Sequence, residues 1–110
     1  MEQPESLENL LQGIEELEIE HDLPQAKFQL NNYIKKIYEI IKEDSAISDW
    51  QKIQISSAIA AYKVDWLFLC KYSLLLAFES EDMISKETRY VVRHKEMAKR
   101  IDLDQLISKL

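Results

Sequence analysis

Apolar residues recur at steps of three and four along most of the chain, which is the spacing of one face of an α-helix. The first such stretch predicts a helix from Ser6 to about Glu20, with Leu and Ile along one side. Asp22 then offers an N-cap, and Pro24 suits the first turn of a second helix that we expect to end near residues 43–44. The N-terminal part of the chain is therefore predicted to hold two amphipathic helices.

A third predicted helix begins at Ser48, because Ser48 and Gln51 have the spacing of a capping box. No Gly or Pro follows before Ser80, so a helix that ran straight through would have about 31 residues and a length of roughly 46 Å. A break between Tyr62 and Ser73 stays open, although no Gly or Pro marks one. Its second half, from Val64 to Phe78, is apolar on nearly every face, and such a helix is usually buried all round. It is therefore either the central helix of the fold or, in part, a surface for a homodimer or a partner. The residues that we assign to that surface are Trp66, Leu69, Tyr72 and Phe78.

A fourth helix is expected to start after Ser80 or Ser85, and a short fifth helix after Asp102. The chain has one Gly, two Pro and no Asn-Gly or Asp-Gly pair, although a β-rich domain needs such residues for its turns. We therefore predict an all-α fold without strands, formed by residues 1–110 as a single domain. Its simplest arrangement is an antiparallel four-helix bundle with a short C-terminal fifth helix and a long, strongly apolar third helix.

The motifs that usually carry catalysis or bind cofactors do not occur in this sequence. One Gly cannot form a phosphate-binding loop, and there is no His-Glu-x-x-His pattern and no nucleophile triad. Cys70 is the only cysteine, and its apolar neighbours predict a buried, inert thiol. The acids around His21 lack the converging ligands that a metal site needs. We therefore expect no catalytic residue, no metal, no cofactor and no enzymatic activity.

Hydropathy also predicts where the protein works. The first residues are acidic and polar, unlike those of a signal peptide. The longest apolar stretch, Val64–Phe78, is shorter than the ~20 residues of a membrane span and is interrupted by Asp65 and Lys71. We therefore expect a soluble, cytoplasmic protein without a membrane span.

Charge is unevenly distributed along the chain, whose net charge is −6. Residues 1–22 contain eight carboxylates and no Lys or Arg, whereas residues 86–100 contain six basic residues and two Glu. The two stretches are either solvated outer faces that neutralise each other within the fold, or the acidic one meets a basic partner protein. The negative net charge disfavours binding to nucleic acid. The partner-binding residues that we predict are Glu15, Glu16, Glu18, Glu20 and Asp22.

Arg89 and His94 are separated by four residues. This spacing resembles the Arg-x(4–6)-His motif of HEPN-type ribonucleases, which are small helical bundles that work as dimers. The resemblance implies that His94 is a general base and that Arg89 stabilises a phosphate. Tyr90 and Glu96 depart from the polar residue and the tyrosine that the family often has at these positions. A histidine on an apolar stripe is more often a core residue, so we predict that this pair is not a ribonuclease site.

These features favour a non-enzymatic protein-binding module. The most concrete hypothesis is a small acidic helical protein that binds and neutralises a basic partner protein, as an immunity protein, an antitoxin or a phage-type inhibitor does. The alternatives from other classes are a HEPN-like, metal-independent ribonuclease that uses Arg89 and His94, and a structural dimerisation or adaptor domain. We also predict self-association through the third helix, because its apolar residues exceed what a short bundle covers.

Overall fold

The computed structural model describes residues 6–44, 47–79 and 95–110, and all regular secondary structure in these ranges is helical, with no strand. This confirms the prediction of an all-α protein. The helices α1 to α6 cover Leu7–Glu16, Leu23–Asp44, Asp49–Lys63, Leu67–Leu76, residues 95–99 and Leu103–Ser108. None of the helices in the described ranges has the length and apolar character needed to cross a membrane.

Side-chain caps start four of these helices where the sequence predicts them. Ser6 and Asp22 accept hydrogen bonds from backbone N–H groups three residues further on, at 3.2 and 3.1 Å. Ser48 accepts from the Gln51 N–H at 3.1 Å, and the Gln51 side chain accepts from the Ser48 N–H at 3.3 Å, which completes the predicted capping box. Asp102 caps α6 in the same way. Each cap satisfies a backbone N–H that has no partner inside the helix and typically stabilises by ~1 kcal/mol.

The core lies where the first four helices pack against one another. α1 contacts α2 and α4, α2 contacts α3 and α4, and α3 contacts α4 and α6. Each of the first four helices contributes large side chains that are fully buried, and burying one such side chain typically stabilises by about 1.5–3 kcal/mol. These side chains are Leu10, Ile14, Leu30, Ile34, Ile37, Ile55, Ile59, Cys70 and Leu74.

The long third helix is not continuous, because the structure divides it into α3 and α4 between Lys63 and Leu67, within the range that the sequence left open for a break. Asp65 has left-handed backbone, with a φ of 60°. Its N–H donates to the Tyr62 carbonyl at 3.1 Å. The Trp66 N–H donates to the Ala61 carbonyl at 2.9 Å, and the two bonds together form a Schellman motif. Glycine usually occupies this position, which Asp tolerates better than most residues do. The Asp65 carboxylate also pairs with Lys27 Nζ at 2.6 Å, which ties the turn to α2.

α3 and α4 form an antiparallel hairpin across this turn. The Trp50 indole N–H, near the start of α3, donates to the Leu76 carbonyl at the end of α4 at 2.9 Å. The described residues therefore contain six helical segments where the sequence predicts five. The arrangement as an antiparallel four-helix bundle stays a prediction.

The first helix is shorter than predicted, since it ends at Glu16 and not near Glu20. Leu17 leaves the helix with an extended backbone, with a ψ of 120°. The apolar pattern continues beyond this point because Leu17 and Ile19 pack the connection to α2 against the core. The apolar pattern therefore predicts the buried positions correctly but overestimates the length of the first helix.

The C-terminal residues are held to α2 and α3. The Tyr38 hydroxyl donates to the Asp104 carboxylate in α6. Asn31 Nδ2 donates to the Tyr62 hydroxyl at 3.0 Å and to the Leu110 carbonyl at 3.4 Å. The short helix predicted after residue 102 is confirmed as α6. Of the predicted fourth helix, residues 80–94 lie outside the described residues.

Candidate functional site

The acidic segment, defined here as residues 15–22, spans the last turn of α1 and the connection to α2. Ile19 is buried within it, which anchors the connection to the core. The Glu18 carboxylate lies 3.1 Å from His21 Nε2, with both side chains largely exposed, and Asp22 caps α2. The segment therefore presents negative charge to solvent from a defined backbone. All five predicted partner-binding residues are exposed: Glu15, Glu16, Glu18, Glu20 and Asp22.

A lysine of α4 contacts the acidic segment through its backbone. Lys71 Nζ donates to the carbonyl oxygens of Glu15 and Leu17 at 2.8 and 3.0 Å. It therefore satisfies the carbonyl end of α1, where the helix dipole is negative, and leaves the carboxylates to solvent. The Lys and Arg side chains of residues 95–100 are exposed, and within the described ranges no ion pair joins them to the acidic segment. The rest of the predicted basic stretch, residues 86–94, lies outside the described residues.

α4 exposes large apolar side chains on the side that faces away from the core. Cys70 and Leu74 lie on the other side of the helix and are fully buried. Soluble proteins rarely leave several neighbouring large apolar side chains in water, so this side of α4 is typical of an interaction surface. We define the apolar face as four residues that are 65, 60, 43 and 61% exposed, in this order: Trp66, Phe68, Leu69 and Tyr72.

The apolar face includes three of the four residues that the sequence assigns to a dimer or partner surface. The fourth, Phe78, lies in the turn after α4 and packs, half-buried, against the core. The apolar pattern of the sequence does not single out Phe68, because a long helix that is apolar on every side has no recognisable outer face. Once α4 is a separate helix, the spacing of Cys70 and Leu74 marks its inner side, and Phe68 and Tyr72 have the same spacing on the outer side.

The acidic segment and the apolar face meet along an open groove of about 570 Å³. Phe68 provides one wall of this groove. Lys71 holds the two walls together, because it belongs to α4 and binds the end of α1. The groove therefore combines aromatic and aliphatic carbon with exposed carboxylates. Its other wall is formed by Leu17, Glu18, Ile19, Glu20 and His21.

The groove is lined by aliphatic and aromatic carbon, two carboxylates and one imidazole. Across the described residues, no group of three or more His, Cys, Asp and Glu side chains is placed to hold a metal ion. The prediction of a buried thiol is confirmed, since Cys70 is fully buried and burial raises the pKa of its thiol to about 12. Arg89 and His94 lie outside the described residues. The chain matches no protein-family model, no curated protein and no solved structure.

Proposed function

We propose that this protein is a non-enzymatic protein-binding module that takes a basic partner protein at the groove between the acidic segment and the apolar face. The observation that carries the proposal is the contact between the two surfaces, because Phe68 lines the same groove as Glu18 and Glu20. An apolar centre with polar and charged surroundings is the usual composition of a protein interface. The partner is therefore expected to present Lys or Arg around an apolar patch.

The apolar face supplies the contact free energy in this proposal. Trp and Tyr are among the residue types that most often dominate binding when they are buried at the centre of an interface. Trp66 and Tyr72 are both more than half exposed and so have area left to bury. Burying an aromatic side chain of 150–250 Å² is worth on the order of several kcal/mol at ~25 cal/mol per Å². Association also costs translational and side-chain freedom, so several such anchors are needed together.

The acidic segment supplies attraction at a distance. Exposed carboxylates of one sign raise the rate at which an oppositely charged protein arrives, and salt screens this effect. The exposed contact between Glu18 and His21 contributes little to folding. Recognition therefore explains the concentration of charge at this segment better than stability does.

Within this class we propose a protein that neutralises its partner, such as an immunity protein, an antitoxin or a phage-type inhibitor. The support is the small size of the chain, its net charge of −6 and the exposed groove. A small acidic domain that covers a basic surface blocks whatever that surface binds. We expect the two proteins to meet in the cytoplasm.

Site-specific photo-crosslinking in the native host tests the proposal. A photoreactive phenylalanine analogue replaces Phe68 or Tyr72, one at a time, and the crosslinked protein is identified by mass spectrometry. We expect both positions to capture the same protein, and that protein to have a basic surface.

A matched control replaces Phe28, which is 61% exposed on α2 and does not line the groove. The proposal expects little or no capture of the same protein from this position. Equal capture from Phe28, or capture of nothing from Phe68 and Tyr72, contradicts the proposed interface.

A further inference from the structure

The turn between α3 and α4 is held in a conformation that its residues do not favour. Asp65 has a φ of 60°, and left-handed backbone is disfavoured for every residue that has a Cβ. Trp66, the N-cap residue of α4, makes no side-chain capping hydrogen bond. No Gly or Pro occurs between Asp49 and Leu76, so these residues are compatible with one continuous helix.

The turn also divides the described chain into two parts that hold each other through side chains. We define the N-terminal part as residues 6–44 and 47–63, with α1 to α3, and the C-terminal part as residues 67–79 and 95–110, with α4 to α6. The hydrogen bonds between the two parts can form equally well when the N-terminal part belongs to one copy of the chain and the C-terminal part to another. These bonds join Trp50 to Leu76, Lys71 to Glu15 and Leu17, Tyr38 to Asp104, and Asn31 to Leu110.

We propose that two copies of this chain exchange their C-terminal parts. In the exchanged dimer the turn straightens, and α3 and α4 form one helix from Asp49 to Leu76, roughly 42 Å long. The core and the hydrogen bonds between the two parts are then formed between copies, which is why domain swapping disturbs a fold so little. The partner at this interface is a second copy of the same chain.

The monomer and the exchanged dimer differ mainly at the turn between α3 and α4. Exchange loses the Schellman hydrogen bonds and the ion pair of 2.6 Å between Lys27 and Asp65. It returns Asp65 to right-handed backbone and adds helical hydrogen bonds across the turn. Val64, which is 61% exposed beside the turn, comes to lie where the two long helices meet. The proposal uses the turn and not the groove, so it does not depend on the proposed function.

Two substitutions at one position test the exchange. Asp65→Gly and Asp65→Ala both remove the ion pair with Lys27, but only glycine accepts left-handed backbone freely. Each full-length variant is refolded at high concentration and its dimer dissociation constant is measured by analytical ultracentrifugation. We expect the constant to be at least about tenfold lower for Asp65→Ala, because each dimer contains two turns. Equal constants, or monomers alone at every concentration, overturn the proposal.

A mixing experiment separates exchange from side-by-side association. Ile34→Asp disrupts the N-terminal part and Leu74→Asp the C-terminal part, since both positions are buried in the core. Each full-length variant alone is expected to be unfolded. Refolded together, they form one intact unit from the two undamaged parts and recover up to about half of the wild-type helical signal in circular dichroism. A mixture that recovers no helical signal overturns the exchange.

Discussion

At the scale of single residues, Gly13 of α1 lies against the Tyr33 ring of α2. A Cβ added to Gly13 would collide with the Tyr33 hydroxyl and lie 3.0 Å from Cζ of the ring. In the sequence Gly13 looks like a weak point, because glycine costs ~1 kcal/mol relative to alanine inside a helix. In the structure, the absence of a side chain at Gly13 leaves room for the Tyr33 ring.

Gly13→Ala is therefore expected to lower the free energy of unfolding by about 1 kcal/mol or more, although it raises helix propensity. Urea denaturation measures the change. The loss should be smaller in a Tyr33→Phe background, because the colliding oxygen is then gone. A more stable Gly13→Ala variant would show that Tyr33 gives way without cost.

Cys70 and Tyr38 set an alkaline limit on stability. Burial raises the pKa of the Cys70 thiol from 9.0 to about 12. Burial, and then the hydrogen bond to Asp104, raise the pKa of Tyr38 from 10.0 to about 12. Both groups keep their protons in the folded state at pH values where the unfolded chain loses them. Their contribution to stability is therefore complete below the unfolded pKa values and is lost as the pH rises toward about 12.

We expect the free energy of unfolding to fall between about pH 9 and about pH 12. In Cys70→Ala, the free energy of unfolding should fall less steeply with pH from about pH 9 upward. In Tyr38→Phe, it should fall less steeply only above about pH 10. Cys70→Ala also lowers stability at every pH, because it leaves a small cavity. Urea denaturation at each pH gives the slopes. Slopes as steep as in the wild type for both variants would rule out these groups as the cause.

At the scale of elements, the four helix starts with side-chain caps could be predicted, whereas the ends of α1 and α3 and the start of α4 could not. The caps at Ser48 and Asp102 depend on residues within three positions, so the sequence alone contains them. The end of α3 is held by Lys27, which is distant in sequence from Asp65, and no local Gly or Pro announces it. The sequence predicts Glu18 and Glu20 as binding residues but does not single out Phe68. That the three residues line one groove depends on the helix ends and on Lys71, which no local pattern contains.

Lys71→Met tests this contact between elements. Methionine keeps an aliphatic stem of similar length but loses the two hydrogen bonds to the end of α1. We expect a loss of about 1–2 kcal/mol in the free energy of unfolding and faster hydrogen exchange of the amides in residues 17–21. Lys35→Met, at an exposed position of α2, is the control. Equal protection of residues 17–21 in both variants would mean that Lys71 does not order the segment.

At the scale of the whole molecule, the apolar face differs from the other exposed apolar side chains. Leu23 and Phe28 on α2 and Met97 on α5 are exposed at separated positions, whereas four such residues lie within seven positions at the start of α4. The apolar face also borders the acidic segment along the groove. Charge and apolar contact are therefore expected to act on different steps of binding, charge on the association rate and apolar contact on the dissociation rate.

The most direct test is the association rate constant with the crosslinked partner, measured at increasing salt for the wild type and two variants. One variant changes Glu to Gln at four positions of the acidic segment, and the other does so at four exposed positions outside it, so both have the same net charge. We expect the first variant to associate about tenfold more slowly at low salt and to lose most of its salt dependence, and the second to stay close to the wild type. If the first variant instead associates like the wild type and melts at a lower temperature, its carboxylates serve the fold and the proposed function is contradicted. The four positions are Glu15, Glu16, Glu18 and Glu20 in the first variant, and Glu39, Glu43, Glu79 and Glu96 in the second.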